Sequence, residues 1–237
     1  MTSSGPFPRY LPDSTSNPEA IARNDWEAFV ELEHLRDHWS VKQWAPGRTG
    51  YYWYLTFDDP DLVDFAAEHQ RGLGLTGVDP VPSDGLHITV RSVGDTTAVP
   101  DEQVDALVSL ARERLSDVKP FDLTIGPLSG SRSAIRFSVA PWDPLLDLYR
   151  ILSACSDELS PEHAPRDATD SSSRFRPHLG IAYNNTDRAA ADVIAAVAAL
   201  RKPERVSVRV DTAELVVLRR DGRCYRWDTH AAIPLGG

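Results

Sequence analysis

Apolar and polar positions alternate along this chain in two rhythms. After Asn17-Pro18, an N-cap with proline in the first turn, Ile21, Ala28, Leu32, Leu35 and Trp39 share a helical face and predict an N-terminal helix. Residues 51–57 then switch to period two. Their aromatic and β-branched content predicts a strand with Trp53, Leu55 and Phe57 on one face and Tyr52, Tyr54 and Thr56 on the other. Asp59-Pro60 opens a second helix to about residue 72, and a Gly/Pro-rich loop leads into a strand at 86–91. From 101 to 118, Val104, Leu107, Val108, Ala111, Leu115 and Val118 keep helical spacing, and a strand follows at 121–128.

The second half repeats the order. A strand is expected at 134–140, and a helix opened by Asp143-Pro144 carries Leu145, Leu148, Tyr149 and Leu152. A long polar loop at 160–173 precedes a strand at 178–183. An Ala/Val/Ile helix at 187–200 and a strand at 206–210 come next. The strands at 213–220 and 223–227 flank Asp221-Gly222, a type I′ hairpin signal. The pattern predicts an α+β domain over residues 17–237, with two lobes of antiparallel sheet and flanking helices around a groove. Lobe one is expected at about 51–128 and lobe two at about 133–233. Residues 1–16, rich in Ser, Pro and Thr, read as a mobile tail.

Composition narrows the function classes. The chain has 237 residues, 41% of them hydrophobic, enough for one substantial core. No apolar run approaches the ~20 residues of a membrane span, and the N-terminus lacks a secretory signal, so a cytoplasmic monomer is expected. Cys155 and Cys224 fit neither a disulfide framework nor a zinc site. A formal charge of -10 argues against binding long nucleic acid, which depends on neutralising phosphates. An anionic ligand would need local cations, and arginines cluster at Arg174 and Arg176 and at Arg219, Arg220, Arg223 and Arg226, where a solvated strand face is the competing account.

Each half places a histidine at the start of its middle strand, in His87-Ile88-Thr89-Val90 and His178-Leu179-Gly180-Ile181. Strict alternation puts His87, Thr89 and Arg91 on one face, and His178, Gly180 and Ala182 on the corresponding face of the other strand. Two imidazoles across one groove suit phosphodiester chemistry, because each has an unperturbed pKa near 6.5 and one can take a proton while the other gives one. Thr89 would hydrogen-bond a non-bridging phosphate oxygen. Arg91 and Arg176 are candidate phosphate ligands, and Tyr52 and Tyr54 candidate stacking surfaces for a nucleobase. His34 and His38, four apart on the expected first helix, have a metal-binding spacing but no third ligand, and no metal site is assigned there.

On these motifs the chain resembles the 2H phosphoesterase superfamily, in its 2'-5' RNA ligase-like branch. Phe175-Arg176-Pro177, the strand at 51–57 and the closing Tyr225-Arg226-Trp227 extend the resemblance over roughly residues 39–227. The resemblance implies a bilobal fold, no metal or other cofactor, and a nucleotide or short RNA end as substrate. The implied activity is hydrolysis of a 2',3'-cyclic phosphate or a 2'-5' linkage, with 2'-5' ligation as the reverse. Gly180 departs from the pattern, which has Thr or Ser there. The departure admits three readings: weakened catalysis in a nucleotide-binding protein, room for a water or the substrate, or a wider groove for a bulkier ligand; a small-molecule phosphoesterase acting on non-nucleotide cyclic phosphates is a separate alternative.

Overall fold

The computed structural model describes residues 5–159 and 174–236. The polar loop expected at 160–173 lies outside the described residues. In chain order the elements are α1 (Pro18–Val30), β1 (His34–Leu35), α2 (His38–Val41), β2 (Thr49–Thr56), α3 (Pro60–Leu73), β3 (Val78–Pro80), β4 (His87–Asp95), α4 (Asp101–Leu115), β5 (Phe121–Gly130) and β6 (Ala134–Ala140). They continue with α5 (Asp143–Leu159), β7 (His178–Asn184), β8 (Arg188–Ala189), α6 (Ala191–Leu200), β9 (Val206–Val210), β10 (Thr212–Asp221) and β11 (Cys224–Pro234).

Local chemistry explains most of these boundaries. The Asn17 side chain accepts hydrogen bonds from the Glu19 and Ala20 amides and starts α1, and Asp59 does the same for Asp61 and Leu62 at α3. α3 stops at Gly74, whose φ of 57° lies in the left-handed region. Gly222, at φ 60°, lets Asp221 pair with Cys224 in the β10–β11 hairpin.

Two sheets carry the fold. One has the order β11-β10-β2-β4 and the other β3-β7-β6-β5-β9, with every pairing antiparallel. The α+β, two-lobed architecture is as expected, but the chain crosses between lobes more than the repeated order suggested. β5 and the short β3, both from the first half, join the second sheet, while β10 and β11 complete the first. β5 has β6 and β9 as partners, and β2 has β4 on one side and β10 on the other. Lobes cut at 51–128 and 133–233 therefore do not correspond to the two sheets.

The N-terminal region also differs from expectation. α1 ends at Val30 because the next residues are taken by long-range pairing: His34 and Leu35 pair with Ala189 and Arg188, and the Glu33 carbonyl accepts from Ala190. His34 and His38 thus sit on a strand and a separate short helix. Residues 5–16 are held down, not loose. Pro8 and Pro12 are buried. The carbonyls of Gly5, Phe7, Pro8 and Arg9 accept from Arg132, Arg136 and Arg176, and the Trp142 amide donates to Thr15. A segment poor in apolar side chains is ordered here through its main-chain carbonyls.

Trp53, Leu55, Ile88, Leu123, Phe137, Leu179 and Leu215 fill the core. α3 and α6 pack against the second sheet, and α4 and α5 against the first. No helix among the described residues is long and apolar enough to cross a membrane.

Candidate active site

β4 and β7 belong to different sheets and abut, and His87 and His178 open them. The two imidazoles are close enough that the charge of one opposes protonation of the other. Both rings are anchored alike. His87 Nδ1 lies 2.8 Å from the Gly85 carbonyl and His178 Nδ1 2.7 Å from the Arg176 carbonyl, each two residues upstream. A carbonyl oxygen can only accept, so each Nδ1 carries the proton and each Nε2 keeps its lone pair.

The alternation that begins with the histidines first breaks at the equivalent place in each strand, and β4 breaks a second time at Val93. β4 pairs Thr56 with His87, Leu55 with Ile88 and Tyr54 with Thr89; then Trp53 pairs with Arg91, leaving Val90 as a bulge. β7 pairs Ser138 with His178, Phe137 with Leu179 and Arg136 with Gly180; then Ile135 pairs with Ala182, leaving Ile181 as a bulge. Residues opposite each other in an antiparallel pair project to the same face, so each bulge exchanges the faces of the residues that follow it, in β4 as far as the second irregularity at Val93. In β4, Arg91 moves to the Trp53 face and Ser92, opposite Tyr52, joins the histidine face. In β7, Ala182 is buried and Tyr183 takes the place that strict alternation gave it.

Several sequence assignments change as a result. Arg91 points away from the groove: its guanidinium donates to Ser153 and pairs with Asp157 on α5 at 2.7 Å. Arg176 is buried and donates to the carbonyls of Pro8, Arg9 and Phe175, holding the N-terminal segment down. Neither is a free phosphate ligand. Tyr54 is only 2% exposed, so no base can stack on it. It lies under His87 instead, with its hydroxyl on the Thr89 side. Tyr52 is half-buried on the same face, near-parallel to Trp44 at 6.3 Å. Thr89 is solvent-exposed beside His87 as expected. At Gly180 the space is open: an added Cβ would meet only Tyr183, at ordinary contact distance.

Other residues at the groove follow from the tertiary structure. A narrow cleft beside His87 is lined by Val81, Tyr183, Arg223, Cys224 and Tyr225. Trp227 meets the His87 ring edge-on at 5.2 Å. His38, on α2, packs on Tyr183 at 4.2 Å, and its two ring nitrogens contact Ser133 and the Tyr225 hydroxyl. Of the second arginine cluster, Arg219, Arg220 and Arg226 are engaged by Asp228, by carbonyls of the α2 region and by Asp84, which leaves Arg223 at the cleft. The Tyr225-Arg226-Trp227 run carried a signal for two of these residues. Tyr183 had none, because a bulge does not show in residue periodicity.

Protein packed around the groove pushes both imidazoles below the usual histidine range, His87 to about 4 and His178 to about 3. For His178, desolvation is reinforced by the charges of Arg136, His87 and Lys42. His178 is nonetheless exposed to solvent, and water reaching it limits the depression. The Arg136 charge is built in. Its guanidinium is buried on the His178 face, held by Asp25 of α1 at 3.1 Å, and Ser138 donates to the other Asp25 oxygen at 2.7 Å. Arg136 and Lys42 thus make a positive field at His178 in a chain of net charge -10. Among the described residues no three His, Cys, Asp or Glu side chains converge as a metal site would need. The arrangement can remove one proton, deliver another and hold an anion between them.

Comparison with known families matches residues 60–223 to the 2'-5' RNA ligase superfamily. Among solved structures, TT0787 of Thermus thermophilus is similar at 19% identity with a TM-score of 0.60, covering 80% of this chain and 98% of that one. E. coli LigT in apo form is similar at 18% identity and TM-score 0.57, covering 79% and 98%. LigT complexed with 3'-AMP gives 17%, 0.58 and the same coverage. At such identities these structures speak for the fold alone. No curated protein matches the sequence significantly.

Proposed function

The chain belongs to the 2'-5' RNA ligase superfamily, a group of 2H phosphoesterases, and from that premise we propose that it is a phosphodiesterase needing no metal, which hydrolyses 2',3'-cyclic phosphates or 2'-5' linkages of nucleotides or short RNA. His87 and His178 act as general base and general acid. The observation that carries this reading is the matched anchoring of the two imidazoles, each Nδ1–H fixed on a carbonyl two residues back and each Nε2 without a hydrogen-bond partner among the described residues.

In the hydrolytic direction, the neutral histidine takes a proton from a water as the water oxygen bonds to phosphorus. The protonated one gives its proton to the ribose oxygen as the P–O bond breaks. Proton count is conserved, and the pair ends with its roles exchanged. Thr89 donates to a non-bridging oxygen as charge builds there, and the Arg136 and Lys42 charges favour the anion. Run in reverse, the same transfers would form a 2'-5' bond. A nucleotide-sized ligand agrees with the acidic surface, and with the 3'-AMP, ATP and NADP+ named in the LigT complexes.

The test is an EDTA-treated assay on 2',3'-cyclic nucleotides and 2'-5' dinucleotides, with His87→Ala and His178→Ala beside the parent. The expected result is turnover that survives EDTA and is lost in both variants. Turnover that needs added metal, or persists without either histidine, would overturn the reading. The open space at Gly180 also favours a second reading, a nucleotide-binding protein with weakened catalysis. Tight nucleotide binding without product would support it.

A further inference from the structure

We infer that Tyr183 supplies, from three residues further along the same strand, the phosphate-oriented hydroxyl that Gly180 lacks. The inference rests on the two-histidine reading above and adds to it a residue outside both motifs.

The argument starts from the bulge at Ile181. Without it, Tyr183 would project to the opposite face of β7, away from His178 and Gly180. With it, the Tyr183 ring lies on the histidine face, and its hydroxyl stands 3.8 Å from the point a Cβ on Gly180 would occupy. One C–O bond beyond that point, a threonine hydroxyl would enter the same part of the groove. Tyr183 also lines the cleft beside His87, so it reaches from the second sheet to the first.

The surroundings fit a donor held in place. His38 packs on the ring at 4.2 Å, while Trp39 and Tyr225 meet it edge-on at 5.1 and 5.5 Å, fixing its direction. Among the described residues the Tyr183 hydroxyl has no side-chain or main-chain hydrogen-bond partner, whereas the Tyr225 hydroxyl is engaged by His38. Burial raises the Tyr183 phenol well above its ordinary value, so it keeps its proton throughout the working pH range. A neutral, oriented O–H without a partner is the group that a developing phosphate charge needs. The two halves would then each present one hydroxyl, Thr89 from the third position of its motif and Tyr183 from beyond the bulge.

Steady-state kinetics on a 2',3'-cyclic nucleotide test this with Tyr183→Phe and the double variant Gly180→Thr/Tyr183→Phe. Phenylalanine preserves the ring packing, so Tm should stay near the parent's while kcat falls about 100-fold, the usual scale for one such donor, with KM moved less than roughly threefold. Threonine at 180 fits ordinary contact space and should restore at least about tenfold of the lost kcat. A purely structural tyrosine would not be rescued from position 180. Tyr183→Phe within about threefold of the parent, or a folded double variant no faster than Tyr183→Phe, overturns the inference. His87→Ala and His178→Ala, run alongside, separate the levels. If they retain activity the two-histidine reading fails as well; if they are inactive while Tyr183→Phe is unimpaired, only the tyrosine assignment fails. Where turnover is too slow to follow, calorimetry with a nucleoside 3'-monophosphate reads the same donor, with affinity weakened about tenfold by Tyr183→Phe and recovered in the double variant. Unchanged affinity there overturns the inference.

Discussion

The imidazole of His87 lies flat against the ring of Tyr54, centroids 4.3 Å apart and planes 12° from parallel, and Tyr54 stands directly opposite Thr89 across the β2–β4 pair. One buried ring thus sets the plane of the first histidine and lies beside its neighbouring hydroxyl. Thr89→Ala should lower kcat about 100-fold, and Thr89→Ser should retain most activity. Tyr54→Phe keeps the stacking and removes only the phenol hydroxyl beside Thr89, so it should fall between them. A Thr89→Ala variant at parental kcat would remove Thr89 from the mechanism.

The depressed imidazoles make a prediction about pH. The productive free enzyme has one ring protonated and one neutral, a form that is most populated between the two pKa values, here about 3 and about 4. Above both values the protonated ring is lost, tenfold per pH unit. kcat/KM, which reports the free enzyme, should therefore rise as pH falls from 7 and peak on the acid side of 6.5. Solvent at His178 softens the shift without reversing it. A bound phosphate anion favours the protonated rings, so the kcat optimum should lie at higher pH than that of kcat/KM. A kcat/KM optimum above pH 7.5 would contradict the downward shift of the pair.

Asp25 and Arg136 form an ion pair with side chains only 1% and 3% exposed. Burial pushes the Asp25 carboxyl up and the Arg136 guanidinium down, and their mutual attraction offsets part of each. Removing one partner strands the other charge. Asp25→Ala should cost about 3–5 kcal/mol in denaturant unfolding. Loss of less than about 1 kcal/mol would mean that Arg136 finds another partner.

Arg91 gives the opposite kind of prediction. Because it holds Ser153 and Asp157 behind the sheet, Arg91→Ala should destabilise the fold by about 1–3 kcal/mol and leave nucleotide KM within about twofold. A large rise in KM with unchanged stability would return Arg91 to the ligand.

Much of this protein is written locally. Asn17-Pro18, Asp59-Pro60 and Asp221-Gly222 start helices or turn a hairpin through bonds to residues two or three away, and such signals survive without any tertiary structure. The strands at Ala134–Ala140 and Val206–Val210 fall where their apolar and β-branched runs put them. The spacing of His87 and Thr89, repeated as His178 and Gly180, identified the groove and its asymmetry for the same reason: within one regular stretch, face follows from parity.

Parity fails where two strands disagree about length, and that disagreement belongs to the pair. The bulges at Val90 and Ile181 come from registers against β2 and β6, strands 30 or more positions away in sequence. They sent Arg91 to α5 and brought Tyr183 to the groove. Likewise, the pairing of residues 34–35 with 188–189 ended α1 at Val30, and buried arginines ordered an N-terminal segment whose own side chains offer little to pack. The sequence alone determined where each histidine motif opens its strand and which of its first residues share a face, because that depends on neighbours within a turn or a strand. Only the tertiary structure decided which side chains stand beside them, because register, burial and ion pairing are settled between segments the chain keeps far apart.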